Sequence, residues 1–176
     1  MITVEKKQAD IKTKAEFIIT LTWADSSTSD VDVWLEDPLE NILYFSAKEI
    51  GLMHLDRDDL GRLNDTIVLK DGTWVNYDHN QEIVTIRGFI PGEWVLNVHM
   101  YAKRDNIPVS IEIKMDKLNP YKTIIYKKFT IDKDWEEVTI KRFTMTGNGD
   151  ILIMNDLPKK LVETQSISRA ARTLDR

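Results

Sequence analysis

The chain has no cysteine. That absence excludes disulfides, thiolate zinc sites and thiol nucleophiles. Only 7 of the 176 residues are glycine and 5 are proline, too few for a collagen-like or low-complexity chain. The sequence has no glycine-rich phosphate loop, dinucleotide fingerprint or Gly-x-Ser-x-Gly elbow. Three histidines, His54, His79 and His99, stand far apart without metal-ligand spacing. No apolar run approaches membrane-spanning length, so no membrane partner is expected. The opening "MITVEKKQADIKTKAE" lacks the apolar core of a signal peptide, and synthesis in the cytoplasm is the expectation.

Positive charge is in short supply and unevenly placed. Lys and Arg number 24 against 29 Asp and Glu, for a net charge of −5. From Asp30 to Asp65 ten acids face only Lys48, Arg57 and Arg62, or −7, leaving about +2 for the rest. A mildly acidic chain with one acidic segment is a poor partner for nucleic acid.

What is abundant is period-two alternation. In "EFIITLTW" Phe17, Ile19, Leu21 and Trp23 share one face. "EWVLNVHMY" sets Trp94, Leu96, Val98 and Met100 against Val95, Asn97, His99 and Tyr101, and "PVSIEIKM" alternates in the same way. Such patterns mark half-buried strands. Asp71-Gly72, Pro91-Gly92 and "TGNGD" supply turns between them. About ten short strands joined by such turns predict an all-β fold, an antiparallel β-sandwich or jelly roll, over residues 15–156. Residues 1–14 are a polar N-terminal arm. Residues 157–176, with five Lys or Arg and two acids, read as a C-terminal arm or short helix.

The stretch "SDVDVWLEDP" puts Asp30, Asp32 and Trp34 on the face opposite Val31, Val33 and Leu35. "HLDRDDLGRLND" then adds Asp56, Asp58, Asp59 and Asp65. Two unit charges about 4 Å apart repel by roughly 4 kcal/mol at an effective dielectric near 20. Two readings follow. These six aspartates hold a hard divalent cation, Ca2+ for an all-oxygen site, or they serve turns and ion pairs with nearby cations. "DRDDLG" starts like an EF-hand loop but fails at Leu60 and Ile67.

"LTWADSSTSDVDVWLEDPLENILYFS", "LDRDD" and "PGEWVLNVHMY" together resemble the β-sandwich domain of unknown function of YfaP-like bacterial proteins, over about residues 17–102. Leu21, Trp23, Asp30, Asp32, Trp34, Asp37, Pro38, Leu55, Asp58, Gly92, Trp94, Val98 and Tyr101 carry the likeness. The glycine of that pattern after Asp-Pro is replaced here within "DPLEN". The resemblance implies a sandwich used as an accessory module, and no activity.

With no catalytic motif in view, the expectation is a non-catalytic structural or assembly protein. It would self-associate, or join a larger assembly, through its terminal arms, for instance as a bacteriophage virion component of tail, neck or capsid. The alternative is a carbohydrate- or cell-envelope-binding module that stacks polysaccharide on exposed tryptophans. By alternation Trp23 and Trp94 belong to the core, whereas Trp34, Trp74 and Trp135 are candidates for exposure; Trp34 and Trp74 are the stacking candidates.

Overall fold

Two antiparallel sheets stack with their alternating apolar faces inward. The computed structural model describes residues 14–59, 66–68, 70–76 and 79–174. Among these residues thirteen strands run in chain order: β1 (Phe17–Trp23), β2 (Asp30–Glu36), β3 (Ile42–Leu43), β4 (Glu49–Ile50), β5 (Met53–Arg57), β6 (Thr66–Val68), β7 (Trp74–Asn76), β8 (Asn80–Ile86), β9 (Gly92–Ala102), β10 (Val109–Leu118), β11 (Tyr121–Ile131), β12 (Glu137–Met145) and β13 (Ile151–Asn155). One sheet has the order β11-β10-β1-β8-β5-β4 and the other β13-β12-β9-β2-β3, while β6 and β7 form a separate pair. Among the described residues one helix, α1 (Leu161–Leu174), follows the last strand. The all-β sandwich expected from the sequence is therefore the fold.

The alternation explains the layers. Phe17, Ile19, Leu21 and Trp23 of β1 meet Val31, Val33 and Leu35 of β2 and Trp94, Leu96, Val98 and Met100 of β9 in one buried cluster. Burying a side chain of this size contributes roughly 1.5–3 kcal/mol, which makes this seam the main source of stability. Trp23 and Trp94 are both in it. Their indole N–H groups donate to Ser29 O and Ile90 O, so neither polar edge is left buried and unpaired.

Turn chemistry connects the strands. The Asp71-Gly72 turn joins β6 to β7, with Gly72 at φ 85° and Thr73 N donating to Asp71 Oδ1. At the β12–β13 hairpin tip Gly149 has φ 82°, and its missing Cβ makes room for the Phe89 ring.

The second sheet differs from a simple alternation because it is covered on both faces. Every residue of β2 is buried. On its outer face Trp34, Ile42, Tyr44 and Val95 pack under Leu161 of α1. The helix is tied down at its start: Leu161 N donates to Glu137 Oε2 at 2.7 Å, Lys159 N to Thr139 Oγ1 at 3.0 Å, and the Lys159 ammonium pairs with Glu36. A carboxylate from β12 thus meets the free amides and positive dipole end of α1. Among the described residues no helix is long and apolar enough to cross a membrane.

Candidate cation site

The sandwich has an open corner. Strand β2 pairs with β9 along its length, but with β3 only at Leu35 and Glu36, so the start of its other edge is unpaired. Strand β8 of the opposite sheet faces that edge. Glu82 on β8 shares the core-facing phase of Val84 and Ile86, and its Oε2 accepts a hydrogen bond from Val33 N at 2.7 Å. A buried carboxylate so takes the place of a missing neighbour strand.

Asp32 on β2 and Asp58, just past β5, converge on the same point. One carboxylate oxygen from each of Asp32, Asp58 and Glu82 lies within 4.8 Å of the others. Asp32 is 2% exposed and Glu82 0%. Asp32 Oδ2, Asp58 Oδ1 and Glu82 Oε1 are all buried without a hydrogen-bond partner, as is Asp30 Oδ1. The other oxygen of Asp58 pairs with Lys48 Nζ at 2.7 Å. A small cavity of about 140 Å³, lined by Asp30, Asp32, Phe45 and Tyr101, opens beside the cluster.

The electrostatics follow from this crowding. Burial, then the charges of Asp30 and Asp58, pushes the Asp32 carboxyl up to about 8. Burial raises Asp30 to about 6 against the pull of Arg104. Glu82 is raised well above the ordinary range, by burial first and Asp32 second, although its bond from Val33 N opposes this. Without a cation the group holds protons at neutral pH. With Glu82 Oε2 and Asp58 Oδ2 already engaged, the three carboxylates offer four free oxygens, and calcium, which takes six to eight at about 2.3–2.6 Å, would complete its shell with Asp30 or water. A spread of up to 4.8 Å between donor atoms is within twice that bond length.

The remaining candidates divide. Asp56 lies on the outer face of its sheet, where it accepts from Thr85 Oγ1 at 2.6 Å and Arg87 Nη2 at 3.2 Å. It is no part of the cluster, because strand alternation turns it away from Leu55 and the core. Asp59 accepts from Gln81 N at 3.0 Å and meets Arg57 at 3.5 Å, a loop-anchoring role. Asp37 caps its own turn through Leu39 N and Asn41 N. Asp65 lies outside the described residues, as does the side chain of Trp74. Trp34 is a correction: it is 3% exposed and stacked on Tyr44 at 4.4 Å, so it offers no open face for a ligand to stack on. Alternation placed it opposite the core, but α1 covers that face too. Glu82 went unnoticed in the sequence, although an acid in step with Val84 and Ile86 was the available signal.

Compared with family models, curated proteins and solved structures, the chain matches none of them.

Proposed function

We propose that this chain is a non-catalytic β-sandwich module whose open corner is locked by a divalent cation, calcium by donor type and spacing, held by Asp32, Asp58 and Glu82 with Asp30 behind them. One observation carries the reading: three carboxylates from both sheets meet within 4.8 Å, and each has a buried oxygen with no partner. The ion would join β2 to β8 and the end of β5, stiffening the place where backbone pairing stops. Such a use agrees with the accessory character implied by the YfaP-like resemblance. Paired carboxylates also serve glycoside hydrolysis. Here the burial of Asp32 and Glu82, and an adjoining cavity of only about 140 Å³, favour binding over turnover.

The test is the melting temperature in calcium, in magnesium and in chelator. A ligand at ~100 times its dissociation constant adds about 2.7 kcal/mol of stability. A clear upward shift in calcium, lost in Asp32→Asn, is expected; identical melts in calcium and chelator defeat the proposal.

An assembly role, in a virion or another particle, has one observation in its favour. Among the described residues strand β13 is an edge of its sheet, and Leu152, Ile153 and Met154 on it are 68%, 61% and 47% exposed. An apolar edge strand is a template for pairing with another chain. Light scattering of the full chain should show oligomers that Ile153→Lys dissociates. A monomer at every concentration counts against this role.

A further inference from the structure

A second site lies toward β9 and the start of α1. A cavity of about 510 Å³ separates the helix from the 133–137 segment, with His99, Trp135, Lys160 and Glu163 among its walls. A smaller cavity of about 110 Å³, also bounded by His99 and Trp135, lies against Trp34 and Tyr44. Binding pockets for small molecules fall in about the 300–1,000 Å³ range and combine apolar walls with a few convergent polar groups.

His99 is the buried polar group in this space. It is 1% exposed, and neither ring nitrogen has a hydrogen-bond partner of regular geometry. Burial pushes its pKa down to about 4, against a weaker upward pull from the Trp135 backbone, so the ring is neutral. A neutral imidazole offers one N–H and one lone pair. Trp34 Nε1, also buried and unpartnered, adds a donor beside it. Leaving such groups unpaired costs about 1–3 kcal/mol each, an outlay that a hydrogen-bonding ligand would recover.

Trp135 stands over His99, with ring centroids 4.5 Å apart and planes at 87°. More than half of it is exposed, at 57%, and its backbone has φ 63°. A bulky residue in the left-handed region carries strain of about 1–3 kcal/mol, and such strain gathers at ligand sites. Charges of both signs line the larger cavity, Lys133 and Lys160 against Asp134, Glu136, Glu137 and Glu163. The acidic excess disfavours an anion.

We propose that this cavity binds the ring of a neutral saccharide, with Trp135 stacking on its face and His99 bonding to its hydroxyls. Hydroxyls both donate and accept, so they can meet the His99 nitrogen that the Trp135 backbone does not hold, whether it carries the proton or the lone pair. A quaternary ammonium ion would also suit aromatic walls, but it would leave His99 unpaired. The site adjoins the cation cluster, since Asp32 stands opposite His99 in the β2–β9 pair, but it uses none of the three clustered carboxylates.

Calorimetric titration of the full chain tests this with glucose, galactose, mannose and N-acetylglucosamine, and with tetramethylammonium chloride as the control. Saturable binding of at least one sugar and none of the control is expected. Trp135→Gly should abolish the binding while raising the melting temperature, because glycine accepts the backbone conformation. His99→Gln should weaken it roughly tenfold, the scale of one lost hydrogen bond. The proposal is overturned if all four sugars give flat titrations, if Trp135→Gly binds as the unsubstituted chain does, or if tetramethylammonium binds in their place.

Discussion

Glu82 Oε2 accepts from Val33 N at 2.7 Å, joining the two sheets through a carboxylate that is wholly buried. The bond satisfies a strand amide at a sheet edge, but it does so with a group that resists burial when charged. Its second oxygen faces Asp32 and Asp58 without a partner. The corner is therefore well formed in its hydrogen bonding and poorly formed in its charge.

Glu82→Gln should separate these two properties. Glutamine keeps an oxygen for Val33 N and gains an amide that can donate to Asp32 or Asp58. In chelator the variant should melt above the unsubstituted chain, and calcium should no longer move its melt. Thermal scans of both proteins with and without calcium check this.

The metal-free protein should lose stability as pH rises. Asp32, at about 8, keeps in the folded state a proton that the unfolded chain releases near 3.8, and Asp30 at about 6 and Glu82 act in the same direction. Their contribution is full below the unfolded value and is lost as pH climbs through the folded one. His99 works oppositely: lowered from 6.5 to about 4, it contributes fully above 6.5 and loses that contribution as pH falls. Melts in chelator should thus be lower at about pH 8 than at about pH 6, and calcium should remove or reverse that difference because the ion competes with protons.

Helix α1 should depend on one acid outside it. Glu137 accepts from Leu161 N and from Asn97 Nδ2, at 2.7 and 2.6 Å. Glu137→Ala leaves both donors buried without that acceptor and should cost about 1–3 kcal/mol. Hydrogen exchange should show the α1 amides losing protection ahead of the strands, and Glu137→Gln should lose less.

Gly149→Ala should destabilise the β12–β13 hairpin. At φ 82° an alanine is strained, and its Cβ would stand 2.4 Å from the Phe89 ring. Strain and overpacking together imply a loss on the order of 2 kcal/mol. Denaturant titration against the unsubstituted chain measures it; Gly72→Ala, whose Cβ would meet nothing within 4 Å, should lose less.

Much of the architecture could be read directly from residue order. Side chains on a strand alternate by geometry, so Phe17 through Trp23 and Trp94 through Met100 declared their inner faces, and the glycine turns declared where strands reverse. The same alternation placed Asp30 and Asp32 opposite the core residues of β2. It could not say what covers an outer face. Trp34 is buried because Leu161 of α1 packs back over its sheet, a contact between positions more than a hundred residues apart, and His99 is covered by Trp135.

The cation cluster shows the same division. Local chemistry marked Asp32 and Asp58 as acids in unusual company, and equally marked Asp56 and Asp59, which serve other partners. Which carboxylates meet depends on sheet order, which sets β8 against the unpaired edge of β2 and brings Glu82 across the core. Alternation is a property of neighbouring residues, so the chain alone determined its strands and inner surfaces. Convergence is a property of distant ones, so only the packed sheets decided which acids share a site.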